Sequence, residues 1–176
     1  NMHIIYGNAE QLLAKLDNGE IHFALIEGYF PSHKYEQLLY YTDSFICVCA
    51  KNHTFSQKVN HIEDLLNERI LVRETGSGTR DLLDSYLKTY NLSYLDFKNH
   101  LEIESISSII SLLKNDCGIS FLYRLSVEEE LKNGSLKEIK IQNLPLHHDT
   151  TFLWNKNSVY SKQYKEICKE LIGEYK

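Results

Sequence analysis

Hydrophobic and polar positions along this chain follow two different periods. Short apolar runs such as FALIEG at residues 23–28 and FICVCA at residues 45–50 are typical of buried strands. Between such runs, leucine, isoleucine and tyrosine recur every three or four residues, which indicates helices that bury one face. Because strand-like and helix-like segments alternate, the pattern predicts an α/β fold in which helices connect the strands.

Capping residues mark the ends of several of these helices. Asn8 and Gln11 have the spacing of a capping box, and Gly19 is expected to end the helix that they open. Ser105 is placed to cap a helix that begins at the next residue. The sequence therefore predicts where two helices start before any tertiary contact is considered.

Three further elements are predicted from the same signals. MHIIYG at residues 2–7 is expected to form a strand, and Ser126 with Glu129 is expected to form a second capping box. The last helix is expected to start at Ser161. Its inward face is expected to consist of Tyr164, Ile167, Cys168, Leu171, Ile172 and Tyr175.

The stretch RETGSGTRDLL at residues 73–83 carries the clearest chemical signal. A strand that turns through glycines into a helix leaves the first N–H groups of that helix without partners. These groups point into the space beyond the end of the strand, where open α/β sheets bind ligands. Such a loop suits a carboxylate, sulfate or phosphate, and the hydroxyl groups of Ser77 and Thr79 and the charge of Arg80 fit this chemistry. The alternative is that Ser77 or Thr79 only caps its own helix.

Composition and charge narrow the function. The chain has 176 residues and 43% hydrophobic content, which is enough for a sizeable core. Its 19 basic and 24 acidic residues give a net charge of −5 and the basic residues are scattered, which argues against a stand-alone nucleic-acid-binding domain. No apolar run approaches the ~20 residues of a membrane span, and the first residues do not resemble a signal peptide. We therefore expect a soluble protein. Its four cysteines do not form a disulfide framework, which favours the cytoplasm.

Residues suited to catalysis, metal binding or redox chemistry give weaker signals. Cys47 and Cys49 alternate on one face of a strand, and we expect them to be buried hydrophobic side chains; binding of a soft metal or redox sensing is the alternative. His147 and His148 point to opposite faces of an extended segment, so we expect a solvated loop and no metal site. The chain lacks a Gly-x-Ser-x-Gly motif. We expect no catalytic residue, no metal and no cofactor.

Four stretches of the chain, taken in order, resemble the effector-binding domain, also called the substrate-binding domain, of LysR-type transcriptional regulators. They are GNAEQLLAKLDNGEIHFALIEG, SFICVCAKNHTFS, RILVRETGSGTRDLLDSYL and LEIESISSIISLLKNDCGISFLYR. The resemblance covers most of the chain, and the third stretch is its most specific part.

The resemblance implies a periplasmic-binding-protein-like fold of type 2, in which two α/β lobes are joined by two crossing segments. Residues 1–45 and 151–176 are expected to form lobe I, and residues 46–150 to form lobe II. Family domains usually begin with one more strand and helix, and they follow an N-terminal winged helix-turn-helix that binds DNA. These parts are expected to lie outside the present sequence.

The resemblance also implies that a small effector binds in the cleft between the lobes. Carried over residue by residue, the expected ligand-binding residues are Glu27, Gly28, Gly76, Ser77, Gly78, Thr79, Ser105 and Tyr123. From the residues alone, Glu27 could instead be an exposed loop acid and Tyr123 a packed aromatic.

The implied function is sensing without turnover. An anion or small carboxylate would bias the angle between the lobes, and a homodimer, or a tetramer in the full-length bacterial protein, would pass that change to the DNA-binding domains. No membrane partner is expected. The alternative function is a solute-binding protein of a small-molecule or anion transporter, which shares the fold.

Overall fold

The computed structural model describes residues 3–173, in which strands and helices alternate as the sequence pattern indicates. The strands are β1 (Ala24–Glu27), β2 (Tyr35–Ala50), β3 (Arg69–Val72), β4 (Asn99–Glu102), β5 (Ile119–Tyr123), β6 (Leu136–Ile139) and β7 (Leu146–Asn155). The α-helices are α1 (Ala9–Asp17), α2 (Gly78–Lys88), α3 (Ile106–Lys114), α4 (Glu128–Asn133) and α5 (Ser161–Gly173). Hydrogen bonds link the strands in the order β1-β7-β2-β5-β3-β4, and β6 also pairs with β2.

The chain divides into two compact units. Unit 1 consists of the described residues up to Thr42, of Gly76–Gly78, and of the described residues from His148 onward. Unit 2 consists of Asp43–Thr75 and Thr79–His147. Both β2 and β7 therefore contribute residues to each unit. The lobe boundaries expected from the sequence, at residues 45/46 and 150/151, stay a prediction.

In unit 1, helices bury apolar side chains on the two faces of a small sheet. β1 runs antiparallel to β7, with Ala24 opposite Leu153. Leucines of α1 pack with one group of buried sheet residues that includes Ile26 and Leu153. The opposite face, at Phe152 and Trp154, packs against α5. The predicted inward face of α5 is confirmed for residues 164–172, and Tyr175 lies outside the described residues.

Unit 2 repeats this arrangement around three parallel strands. β3 runs parallel to both β4 and β5, and the second half of β2 runs antiparallel to β5 and β6. Because successive strand residues point to opposite faces, Cys47 and Cys49 pack in the cluster that contains α2 residues, and Ile46 and Val48 pack in the cluster that contains α3 residues. All four side chains are fully buried.

Two of the local predictions are wrong. Residues 3–7 form no strand, because they pair with no described strand and their side chains find little cover: Ile4 is 64% and Tyr6 90% exposed. Ser126 does not open a helix, because it lies inside a 3-10 turn over Arg124–Val127, and α4 begins after Val127 without a side-chain cap.

Other boundary predictions are confirmed. Asn8 and Gln11 form the expected capping box, and Gly19 adopts a positive φ of 72° just after the C-cap of α1. Ser105 is the N-cap of α3. These signals act within one turn of helix, so they do not depend on distant contacts.

Candidate functional site

The segment Gly76–Gly78 fits closely against two other parts of unit 1. A Cβ atom placed on Gly78 would lie 2.0 Å from the carbonyl oxygen of Glu27, and one placed on Gly28 would lie 2.8 Å from the Cα atom of Gly78. The backbone after β1 therefore passes directly over the first residue of α2. This backbone contact requires glycine at residue 78.

Gly76 faces the start of α1. A Cβ atom placed on Gly76 would lie 2.7 Å from Oε2 of Glu10 and 3.4 Å from Nδ2 of Asn8. Gly76 also has a φ of 87°, which favours glycine. Asn8 and Glu10 were not among the residues expected from the sequence, where Asn8 had only a capping role. The sequence feature that could have indicated these two residues as part of the site is their position at a helix start that directly follows an extended apolar segment.

Ser77 and Thr79 flank the first residue of α2 and are almost completely buried. Ser77 is 3% exposed and Thr79 is 4% exposed. Neither hydroxyl group makes a hydrogen bond with any residue in the described part of the chain. Neither hydroxyl oxygen is completely sealed from solvent. Neither side chain therefore caps α2, which was the alternative considered from the sequence. Both hydroxyl groups remain available to a ligand.

Arg80 is committed to contacts inside unit 2. Its Nη1 donates to the carbonyl oxygen of Arg73 at 2.8 Å, its Nε donates to Asp84 at 2.9 Å, and its guanidinium carbon lies 3.9 Å from the centre of the Tyr94 ring. Nη1 also lies 3.3 Å from a carboxylate oxygen of Glu102. With 6% of the residue exposed, Arg80 joins the end of β3 to the first turn of α2. From the sequence we expected the charge of Arg80 to serve a ligand; in the structure Arg80 has a structural role instead.

The other expected site residues in unit 2 lie at the carboxyl ends of its parallel strands. Ser105 follows β4 and Tyr123 ends β5. Because β3, β4 and β5 run in parallel, these ends lie on the same edge of the sheet. The hydroxyl group of Ser105 accepts a hydrogen bond from the Ser108 amide at 3.2 Å. Tyr123 is 3% exposed, with its ring 5.7 Å from that of Phe45 in an edge-to-face contact.

The residues considered for other chemistry take ordinary structural places. Burial raises the pKa of the Cys47 thiol well above its usual value and that of Cys49 to about 12, so both thiols stay protonated and unreactive. His147 and His148 lie in β7 and not in the loop expected from the sequence. Within residues 3–173, no group of three or more His, Cys, Asp or Glu residues is arranged to hold a metal ion. No helix in that range is both long enough and apolar enough to cross a bilayer.

Comparison with known proteins shows the family and the fold of this chain. The family model described as "LysR substrate binding domain" matches residues 1–174. A relative named "Probable RuBisCO transcriptional regulator", from Chlorokybus atmophyticus, is 27% identical over 162 residues, which are 90% of this chain and 52% of the relative. The chain therefore spans about half the length of this curated relative.

Solved regulatory domains share the fold. The CcmR regulatory domain of Synechocystis, in complex with 2-PG, matches with a TM-score of 0.79 and 20% identity over 96% of this chain and 80% of that chain. The effector-binding domain of QuiR, in complex with shikimate, matches with a TM-score of 0.76 and 20% identity over 96% of this chain and 78% of that chain. These matches confirm the predicted periplasmic-binding-protein-like fold. The family model and the curated relative favour a regulator over an enzyme or a transport protein.

Proposed function

This chain belongs to the LysR substrate-binding domain family, and we propose that it binds a small anionic effector at the start of α2 and thereby controls a transcriptional regulator. The observation that carries the proposal is the pair of hydroxyl groups of Ser77 and Thr79, nearly buried and without a hydrogen bond to any described residue. A hydroxyl group that the protein does not use can donate to a ligand with acceptor oxygens, and a hydrogen bond to a charged acceptor is among the stronger ones.

The start of α2 adds the electrostatic part of the site. The first N–H groups of a helix lack intrahelical acceptors and form the positive end of its dipole, so an anion is favoured there. α2 has 11 residues, enough for several aligned peptide dipoles. Two structural neighbours hold small molecules, 2-PG and shikimate, which supports a small effector for this chain too.

The site works by binding and not by reaction. An effector that binds one conformation of the domain more tightly than another shifts the population toward that conformation. In the proposed full-length regulator, the shift changes how winged helix-turn-helix domains outside this chain contact DNA. The coupling is limited by the difference in effector affinity between the two conformations.

A ligand screen followed by calorimetry tests the site. We expect a thermal-shift screen of carboxylates, phosphorylated metabolites and inorganic anions to give at least one stabilising compound. Ser77→Ala and Thr79→Ala should each weaken its affinity about tenfold or more, because a hydrogen bond to a charged group is lost. Stability should change by less than about 0.5 kcal/mol, because neither hydroxyl group makes a hydrogen bond within the described chain.

Ser111→Ala is the matched control for this experiment. It removes a hydroxyl group that donates to the carbonyl oxygen of Ser107 within α3, away from the start of α2. We expect unchanged effector affinity in this variant. Equal affinity in Ser77→Ala, Thr79→Ala and the parent would remove the basis of the site.

Glu27, Gly28, Ser105 and Tyr123 are proposed as further ligand-binding residues. Glu27 and Gly28 touch the start of α2 through backbone atoms. Ser105 and Tyr123 lie at the strand ends described above. The hydroxyl oxygen of Ser105 already accepts one hydrogen bond from its own helix. Substitution of Ser105 should therefore change effector affinity less than substitution of Ser77 or Thr79.

We propose that the domain forms a homodimer in the cytoplasm. Among the described residues, β1 and β4 end the hydrogen-bonded strand order, and all four residues of β4 are exposed. An exposed edge strand is a ready surface for pairing between chains. Light scattering at increasing concentration should give the dimer mass, and a monomer at every concentration would count against this partner.

A further inference from the structure

The start of α1 brings a carboxylate to the proposed effector site. Oε2 of Glu10 lies 2.7 Å from the position that a Cβ atom of Gly76 would occupy, next to Ser77 in the chain. The Glu10 residue is exposed, and no hydrogen bond or ion pair joins its carboxylate to another described residue. An effector bound at Ser77 would therefore meet an acidic group that no cation of the described chain neutralises.

Asn8 adds a donor at the same place. Its Oδ1 accepts from the Gln11 amide at 2.9 Å, which fixes the orientation of the side chain as the cap of α1. Its Nδ2 is then directed elsewhere and lies 3.4 Å from the same Cβ position on Gly76. The side of the site formed by α1 thus offers one donor, Asn8, beside one negatively charged acceptor, Glu10.

This mixture of groups defines the effector class. Hydroxyl and amide donors at the start of α2 fit an acidic group, and the carboxylate of Glu10, which lies beside Gly76, repels a second negative charge. We infer that Glu10 is a specificity-determining residue, which selects acids that carry a hydroxyl or ammonium group beside the acidic group and disfavours polyanions. This inference rests on the proposed anion site.

An alternative role for Glu10 is purely structural. An acidic residue in the first turn of a helix stabilises the helix dipole, and Glu10 has that position in α1. Such a role changes helix stability but does not distinguish one bound acid from another. Ligand preference is therefore the quantity that separates the two roles.

The first experiment measures sulfate binding by calorimetry in the parent, Glu10→Gln and Glu20→Gln. Sulfate carries negative charge and no donor, so we expect Glu10→Gln to bind it about three- to tenfold more tightly than the parent at low ionic strength. The gain should shrink as salt is added. Glu20→Gln removes the same charge from residue 20, where the carboxylate pairs with Lys15 at 2.9 Å, and should leave sulfate affinity unchanged.

The second experiment compares acids that differ at one carbon: lactate and alanine against propionate. We expect the parent to bind lactate or alanine more tightly than propionate, because a hydroxyl or ammonium group can donate to Glu10. Glu10→Gln should reduce that preference. The inference is overturned if propionate binds as well as both substituted acids, or if no preference among them is detected.

The outcomes separate the two proposals. If sulfate affinity falls in Ser77→Ala but is equal in the parent, Glu10→Gln and Glu20→Gln, the anion site stands and the role of Glu10 is rejected. If sulfate binds none of these proteins, both the anion site and the selection by Glu10 are rejected. Tighter sulfate binding in Glu10→Gln alone supports both.

Discussion

The starts of α2 and α3 have the same sequence signal and different structures. Each helix follows a strand of the parallel set in unit 2, and each has a serine before its first residue: Ser77 before Gly78 and Ser105 before Ile106. Ser105 accepts a hydrogen bond from its own helix, whereas Ser77 makes none with the described residues. A serine at this position therefore does not reveal whether its hydroxyl group serves the helix or a ligand.

The difference lies in what holds each helix start in place. α3 depends on its capping side chain. The start of α2 is held by backbone packing of Gly78 against Glu27 and by the contacts of Arg80 with the end of β3. Because those contacts already position α2, its flanking hydroxyl groups can remain free for an effector.

The largest expected effect comes from breaking the packing that holds α2. Gly78→Ala should lower the free energy of unfolding by about 2–3 kcal/mol, because its Cβ atom would lie 2.0 Å from a backbone oxygen that has little room to move. Urea denaturation measures the loss. Gly173→Ala, where nothing lies within 4 Å of the added atom, is the control and should change stability by less than about 1 kcal/mol. Similar stability in both variants would contradict the packing role of Gly78.

The next effect tests the second support of α2. Arg80→Met should cost about 2 kcal/mol, because the carbonyl oxygen of Arg73 loses its donor and the Tyr94 ring loses its cation. Arg80→Lys keeps the charge without the planar fork and should cost less. Chemical denaturation of the two variants gives the comparison. A methionine variant as stable as the parent would show that Arg80 does not hold the helix start.

A pair of serine substitutions compares the two helix starts directly. Ser105→Ala should lower the free energy of unfolding by about 1 kcal/mol, as expected for a lost cap. Ser77→Ala should change it by less than about 0.5 kcal/mol, because no hydrogen bond within the described chain is lost. The two values are measured by urea denaturation without effector. An equal loss in both would mean that Ser77 is also a cap.

The smallest effect concerns the far end of α1, whose first turn borders Gly76. The Tyr35 hydroxyl group donates to Asp17 at 2.6 Å, and this bond, together with Lys34, lowers the pKa of the Asp17 carboxyl. A lowered pKa stabilises the fold at pH values above about 4, and the contribution is lost as pH falls through the lowered pKa. Tyr35→Phe should therefore cost less than about 1 kcal/mol at neutral pH and nothing in strong acid.

Denaturation at neutral and acid pH measures this difference. Tyr29→Phe is the control, because Tyr29 is 91% exposed, and it should be neutral at both pH values. A cost for Tyr35→Phe that stays constant into acid would show that Asp17 is not the partner that matters. Sulfate affinity should not change in either variant, since the start of α2 is untouched.

Much of the fold followed from local signals, whereas the extent of two strands did not. The caps at Asn8 and Ser105 were predictable because a cap acts within one helical turn. The strand expected at residues 3–7 was not formed, because a strand needs a neighbour to pair its backbone and period alone does not supply one. β2 begins at Tyr35, ten residues before the apolar run that marked it, because pairing extends a strand beyond its buried part.

The candidate site divides in the same way. The amino-acid sequence by itself determined the α/β pattern, the glycine turn before α2 and the family resemblance, because each depends on the order of neighbouring residues. Only the tertiary structure decided that Gly78 packs on Glu27, that Arg80 turns inward, and that Glu10 lies beside Gly76. Those contacts join residues far apart in the chain, and their distances arise only when the segments pack together.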